Sequence, residues 1–370
     1  MIWIISILSF LPVVLYFQQS ERWRKIWKNT SSLTFDGSLN GPFISVIIAY
    51  RNEEKNLPVL LRSLSNQTYR GWELILVDDY SEDNGIENCS ALIDNLGVQV
   101  KCLTNADRGG KKSALQTGAK HAKGELIVTT DADCTFEDNW LSAIAHYYNE
   151  NGSDLLIGPV QQIQSESFLS SFQLYEFTAL QITGGAAALN NNAIMLNGAN
   201  LACKKSLYLE ADMNDKVASG DDMFLLEWAK KKNLNIHYIK SKDAIVYTPT
   251  EPTYGKLIKQ KSRWAVKARN YSDATILSTG AVVALTNLLQ AVFMVGAFFY
   301  PSSALLFLVV FIIRVAADVR IIKEGSKFFS FVPCLRLLFF YQFIYPFYML
   351  LVLSYPLFFK LHWKGRTIKT

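Results

Sequence analysis

The feature that most limits what this chain can fold into is where its charges are missing. Residues 1–20 carry no charged side chain, residues 274–313 carry none over forty positions, and residues 328–359 carry only Arg336. A helix at a soluble core keeps one face for water, so such runs do not suit it. A bilayer takes about 20 apolar residues per helical span. The chain therefore reads as a membrane protein with a soluble insert. Half of its residues are hydrophobic and five of 370 are cysteine, which excludes disordered, collagen-like and disulfide-scaffold classes.

The net charge of +5 hides an opposition. Residues 314–370 hold nine Lys/Arg against Asp318 and Glu324, and residues 21–30 hold four against Glu21. Removing both flanks leaves residues 31–273 at −5. A mildly acidic insert argues against nucleic acid as its partner.

Ile2–Phe17 has no basic residues before it and no small-residue cleavage pattern after it, so it reads as a retained anchor. The basic stretch 22–28 places that side in the cytoplasm and the N-terminus outside. Residues 274–313 fit two spans broken near Tyr300-Pro301. Residues 328–359 fit two short spans, or one span and an interfacial helix. A basic tail inside requires an even number of C-terminal crossings, and about four are expected. The chain then divides into an anchor (1–20), a basic juxtamembrane linker (21–41), a cytosolic domain (42–272), a membrane region (273–360) and a basic tail (361–370). The membrane is the plasma or inner membrane. The domain's cysteines should be reduced thiols, and no CxxC spacing suggests zinc.

Within 42–160, apolar runs alternate with amphipathic stretches. Phe43–Ala49, Glu73–Val77, Val98–Leu103, Glu125–Thr129 and Asp154–Val160 read as strands. Asn56–Leu64, Lys112–Ala122 and Trp140–Tyr148 read as helices. This interval implies an α/β fold with a mostly parallel, doubly wound sheet, whose ligands bind at the carboxyl ends of the strands. Polar clusters stand at those ends. Asp131 and Asp133 flank one small residue and suit a hard divalent cation that also takes diphosphate oxygens, or else form a solvated turn. Asp78-Asp79 could accept from a nucleobase or ribose, or simply make a turn. Gly110-Lys111 precedes a helix, where glycine admits an anion and lysine offers charge. Asp221-Asp222 opens a helix, as N-capping carboxylates or as a general base for a hydroxyl. Gln260, Arg263 and Trp264 lie just before the membrane, either binding phosphate and a sugar face or forming an interfacial belt. Residues Ser167–Thr183 are aromatic and aliphatic, and read equally as interface or core.

The order of these pieces resembles the family 2 glycosyltransferases over roughly residues 42–270. The likeness rests on Ser45–Glu54, Val77-Asp-Asp79, Gly110-Lys111, Asp131-Ala-Asp133, Asn197-Gly-Ala-Asn200, Asp221-Asp222 and Gln260-x-x-Arg-Trp264. It implies a GT-A fold, a nucleotide-sugar donor, and Mg2+ or Mn2+ as cofactor. By the same resemblance, Asp79 or Asp78 would contact the base, and Asp131 and Asp133 would hold ribose, diphosphate and metal. Lys111 would lie near the donor, and Gln260, Arg263 and Trp264 would bind diphosphate and the acceptor end. Asp222 would be the catalytic base, with Asp221 where such proteins often carry Glu. The implied reaction is inverting transfer of a hexose-type sugar to a lipid or membrane-linked acceptor. A processive polysaccharide synthase, and a non-enzymatic membrane protein with a degenerate domain, remain the alternatives.

Overall fold

The computed structural model describes residues 10–33, 41–106, 110–211, 221–267, 271–363 and 366–367. Helix α1 (Leu11–Asn29) is followed by β1 (Ile44–Tyr50), α2 (Leu57–Ser65), β2 (Trp72–Asp78), α3 (Ser90–Asp94), β3 (Gln99–Thr104), α4 (Lys111–His121) and β4 (Leu126–Thr129). Then come β5 (Thr135–Phe136), α5 (Trp140–Asn151), β6 (Leu155–Ile157), β7 (Val160–Gln162), α6 (Phe168–Leu189), β8 (Leu201–Lys204), α7 (Lys205–Glu210) and α8 (Asp221–Lys231). The chain continues through β9 (Ile236–Tyr238), β10 (Val246–Thr248), α9 (Tyr254–Lys267), α10 (Ala274–Gly296), α11 (Pro301–Phe328), α12 (Leu335–Phe358), β11 (His362–Trp363) and β12 (Arg366–Thr367).

Seven strands form the central sheet in the order β3-β2-β1-β4-β8-β6-β9. The first four run parallel, as the strand–helix alternation requires. Strand β1 is apolar on both faces because both are covered. Ile44, Val46 and Ile48 pack with Leu57, Leu60, Leu61 and Leu64 of α2, while Ile47 faces Ala114 and Leu115 of α4. Helix α4 lies so close to the sheet that a Cβ on Gly118 would stand 2.4 Å from Ile47 Cγ2. Strand β8 enters antiparallel between β4 and β6, a pairing that local periodicity does not show. Strands β5, β10 and β7 make a second, small sheet.

The expected linker after residue 20 is partly helix. Helix α1 runs through the proposed boundary to Asn29, because Glu21 and Arg24 pair one turn apart and its end is anchored. Lys240 Nζ donates to the carbonyls of Trp27 and Thr30, both at 2.5 Å, and sits 4.8 Å from the Trp27 ring centroid. Residues 1–9 of the expected anchor lie outside the described residues.

Where four C-terminal crossings were expected, the described residues hold three helices, α10, α11 and α12. Residues 335–358 form one helix that continues through Pro346 and Pro356. Among the described residues, α10 and α12 are long and apolar enough to cross a membrane. The stretch 167–183 is core for the most part. It belongs to α6, where Phe172 and Tyr175 are buried and both meet Tyr341 of α12.

Candidate active site

The carboxyl ends of β1, β2 and β4 meet the starts of α4 and α8 around a cavity of about 1420 Å³. Glu53, Asp79, Lys111, Asp131, Asp133, Asp222, Gln260, Arg263 and Trp264 all line it. Residues far apart in sequence thus share one space.

Asp79 is almost fully buried at the end of β2. Its backbone N–H donates to Tyr50 O, and its Oδ1 accepts from Asn105 Nδ2 at 2.8 Å. Asp78 does not line the cavity. Its Oδ1 instead accepts from Ser81 N at 2.9 Å and Ser81 Oγ at 2.6 Å, the turn-forming role open to an Asp in Asp-Asp-Tyr-Ser. The loops after β1 and β2 are joined there, since Asn52 Oδ1 accepts from Glu82 N and Ser81 Oγ accepts from Asn52 N.

Gly110 has a φ of +82°, which favours glycine, and it turns the chain directly into α4. Lys111 therefore begins the helix inside the cavity, where its ammonium pairs with Asp131. Asp131 and Asp133 flank the tight turn after β4. Burial pushes the Asp133 carboxyl up to about 6, helped by the negative charges of Asp131 and Glu53 and opposed by Lys111. This is a pair of hard oxygen donors with more negative charge than the protein neutralises. Among the described residues no third His, Cys, Asp or Glu completes an all-protein metal cage. The pair fits a cation that takes its other ligands from phosphate and water, as Mg2+ does. Cys134 is buried, and burial holds its thiol well above the ordinary range, so it is inert beside this turn.

Asp222 stands at the first turn of α8, and its Oδ1 accepts from Met223 N at 2.9 Å. Its Oδ2 lies 3.7 Å from where a Cβ of Gly198 would be, and Lys111 Nζ lies 3.9 Å from the same point. The Asp221 side chain lies outside the described residues, as do residues 107–109.

Gln260, Arg263 and Trp264 share one face of α9 because they stand at i, i+3 and i+4. Burial lowers the pKa of Arg263, and Glu251 opposes that shift. The Trp264 ring carries the Lys261 ammonium 4.4 Å from its centroid and lies beside Phe177. Lys261 is in turn paired with Glu176 of α6 at 2.8 Å. Ser262 Oγ donates to Val352 O of α12 at 2.9 Å. The Arg-Trp pair thus faces the cavity, while its helix is tied to α12.

Five residues in and around the site carry no role in the sequence reading. Glu53 and Arg51 line the cavity, and Arg51 Nη1 donates to Asp79 O at 3.2 Å. Both lie in the Arg51-Asn-Glu-Glu54 run, which offered a signal. Gln181 and Asn197 exchange two amide hydrogen bonds of 2.9 Å, and no sequence signal joins them. Asn200 is structural: it donates to Pro159 O and Ala244 O and accepts from Trp140 Nε1.

Residues 45–209, which carry this sheet edge, match the family model described as glycosyl transferase family 2. This domain is similar to that family over somewhat less than half of the chain. That domain is similar to glycosyltransferase GlyG of Streptococcus pneumoniae, with 35% identity over 117 residues, 31% of this chain and 38% of that one. It is also similar to the Escherichia coli UDP-Glc:alpha-D-GlcNAc-diphosphoundecaprenol beta-1,3-glucosyltransferase WfgD, with 29% identity over 129 residues, 35% of this chain and 50% of that one. This chain thus spans half or less of these two relatives' lengths. The mannosyltransferase PcManGT from Pyrobaculum calidifontis, solved with GDP-Man and Mn2+, shares the fold. Its TM-score is 0.62 at 17% identity, covering 95% of this chain and 96% of that one. The architecture of the domain is α/β and GT-A-like, with a mostly parallel central sheet.

Proposed function

We propose that this protein is an inverting glycosyltransferase. It would move a hexose-type sugar from a nucleotide-diphosphate donor to a hydroxyl of a lipid or membrane-linked acceptor. The observation that carries the reading is the convergence of Asp79, Asp131, Asp133, Asp222, Gln260, Arg263 and Trp264 on one cavity. Asp79, fixed by Asn105, accepts from the nucleobase or ribose. Lys111 and Arg263 offer cationic hydrogen bonds to the diphosphate. Held by Asp131 and Asp133, Mg2+ or Mn2+ would offset the charge that develops on the departing nucleotide diphosphate. Asp222 takes the proton of the acceptor hydroxyl as that oxygen attacks the anomeric carbon. Trp264 presents a ring face to the acceptor sugar or headgroup.

Two features support a membrane acceptor. The cavity is lined by Arg314, Asp318 and Gln342 of the C-terminal helices as well as by the domain. The similar protein WfgD is named for a diphosphoundecaprenol-linked acceptor. The basic collar at 22–28 supports a domain on the cytosolic face of the membrane, with the N-terminus outside.

The test is nucleotide release from a panel of nucleotide sugars, using membranes that contain the protein, with and without Mn2+ or Mg2+. Release that depends on metal and is abolished by Asp222→Asn is expected. If wild type and Asp222→Asn behave alike on every donor, the assignment of the base is wrong. A ladder of long glycans among the products would favour a processive synthase instead.

A further inference from the structure

The cavity is larger than most ligand clefts. Ligand clefts commonly measure about 300–1,000 Å³, and this one reaches about 1420 Å³ by continuing from the sheet edge to the C-terminal helices. At that end lies an ionisable group in an unusual place. Arg314 is only 2% exposed and sits on α11 among apolar helices. Charged side chains buried in such helices are costly and rare, and they mark pathways or binding sites.

The surroundings of Arg314 define the chemistry. Its Nη1 donates to Asn287 Oδ1 at 2.9 Å and Gln290 Oε1 at 2.6 Å, both on α10. Its Nη2 stands 3.9 Å from the carboxylate of Asp318, one turn on. The Tyr16 and Tyr345 rings flank the guanidinium. Asp318 accepts from Tyr16 Oη and from Gln342 Nε2. Arg314 and Asp318 therefore cancel, and the cluster is neutral as a whole.

Two buried polar atoms there have no hydrogen-bond partner among the described residues: Arg314 Nε and Gln342 Oε1. One is a donor and the other an acceptor. The identity of the second is fixed, because the amide nitrogen of Gln342 must face Asp318. Arg314 and Gln342 both line the cavity. Leaving either buried atom unpaired is costly.

We propose that this cluster is the acceptor subsite, and that it takes an uncharged, hydroxyl-bearing group such as a glycosyl unit. A hydroxyl both accepts from Arg314 Nε and donates to Gln342 Oε1. A phosphate dianion has no proton for Gln342, and it would meet Asp318 with no surplus positive charge to hold it. The cavity wall also includes Phe172, Tyr341 and Tyr345, aromatic side chains of the kind that pack on sugar C–H groups. The inference rests on the glycosyltransferase reading and goes beyond it in naming the acceptor's chemistry.

The test uses the full chain in nanodiscs, with the donor that gives nucleotide release and three acceptors. These are a neutral glycosyl-diacylglycerol, a soluble oligosaccharide and a polyprenyl phosphate. Transfer to either glycosyl acceptor in preference to polyprenyl phosphate is expected, and the two arms separate a glycolipid from a growing glycan as the source. Gln342→Met should raise the acceptor KM about tenfold, the loss of one hydrogen bond to a buried group, with donor Kd within about twofold as the sign of an intact fold. Arg314→Lys keeps the charge beside Asp318 but removes the Nε donor, and it should raise the acceptor KM likewise should the Met variant fail to bind donor. Preference for polyprenyl phosphate, or an unchanged acceptor KM in a variant that binds donor, overturns the inference while leaving the glycosyltransferase reading intact. Absence of nucleotide release from every donor with every acceptor overturns both.

Discussion

Asn105 Nδ2 donates to Asp79 Oδ1 at 2.8 Å, and the other end of the same amide accepts from Ser113 Oγ and Thr117 Oγ1 of α4. One buried side chain thus ties Asp79, the proposed nucleobase contact, to the helix that presents Lys111. Asn105→Ala should free Asp79 to turn and weaken nucleotide binding by about tenfold, the worth of one hydrogen bond to a charged group. Calorimetric titration with the nucleotide diphosphate reads this. Asp78→Ala, which removes only the turn hydrogen bonds to Ser81, should change that affinity by less than about threefold.

Asp131 and Asp133 are expected to act through the metal. Asp133→Asn should lower metal-dependent turnover by about a hundredfold, within the several kcal/mol that a bound cation supplies to a developing charge. Raising Mn2+ should recover part of the loss. Equal activity of wild type and variant across a Mn2+ titration would remove Asp133 from the metal site.

Glu73 predicts a stability loss in acid. It is buried at the start of β2, and its Oε1 accepts from Ser45 Oγ at 2.7 Å and Lys123 N at 2.5 Å. Lys101 Nζ stands 3.1 Å from Oε2. Burial raises its pKa, but the hydrogen bonds and Lys101 outweigh burial and leave it below the ordinary glutamate range. A carboxylate depressed in the fold adds stability above its unfolded pKa and loses it as pH falls through the folded one. Melting temperature should therefore fall as pH drops from the ordinary glutamate range downward. Glu73→Gln should remove part of that dependence and cost about 1–3 kcal/mol at neutral pH.

The helix of the proposed base is joined to the first apolar C-terminal helix. Glu227 Oε1 accepts from Ser272 N at 2.6 Å and Asp273 N at 3.0 Å, and Lys230 pairs with Asp273 at 2.5 Å. Asp273 also caps α10, accepting from Thr275 N and Ile276 N. Asp273→Ala should cost about 1 kcal/mol from the lost cap. Asp273→Asn should keep most of the cap while losing the ion pair. A scan of melting temperature in detergent separates the two.

Gly118 tests the packing of α4 on the sheet. Gly118→Ala places a Cβ 2.4 Å from Ile47 Cγ2 and 3.2 Å from Val77 Cγ2, so one layer must move. Overpacking of this kind costs about 1–3 kcal/mol. A variant as stable as wild type in urea would show that the helix can lift without penalty.

Local pattern determined a great deal here. The apolar runs of β1, β2 and β4, the helical spacing of Leu57, Leu60, Leu61 and Leu64, and the uncharged stretches 274–313 and 328–359 appear as elements in the structure. They are legible because burial on both faces of a parallel strand, or in a bilayer, leaves a continuous signal in the chain. The positions of Asp79, Lys111 and Asp131 on one cavity follow from their motifs standing at element ends, where a parallel sheet gathers them.

Other features exist only once the chain is closed. Strand β8 pairs with β4 and β6 through partners about fifty to eighty residues away, and a four-residue strand has too little pattern of its own to announce that. Asp78 and Asp79 are alike in sequence, and only the path of the loop decides that one bonds Ser81 and the other faces the cavity. Arg314 read as the start of a basic cytoplasmic connection, because charge alone points to water. The structure buries it against Asn287, Gln290 and Asp318, since polar partners from neighbouring helices can replace water for a side chain that no single segment could satisfy.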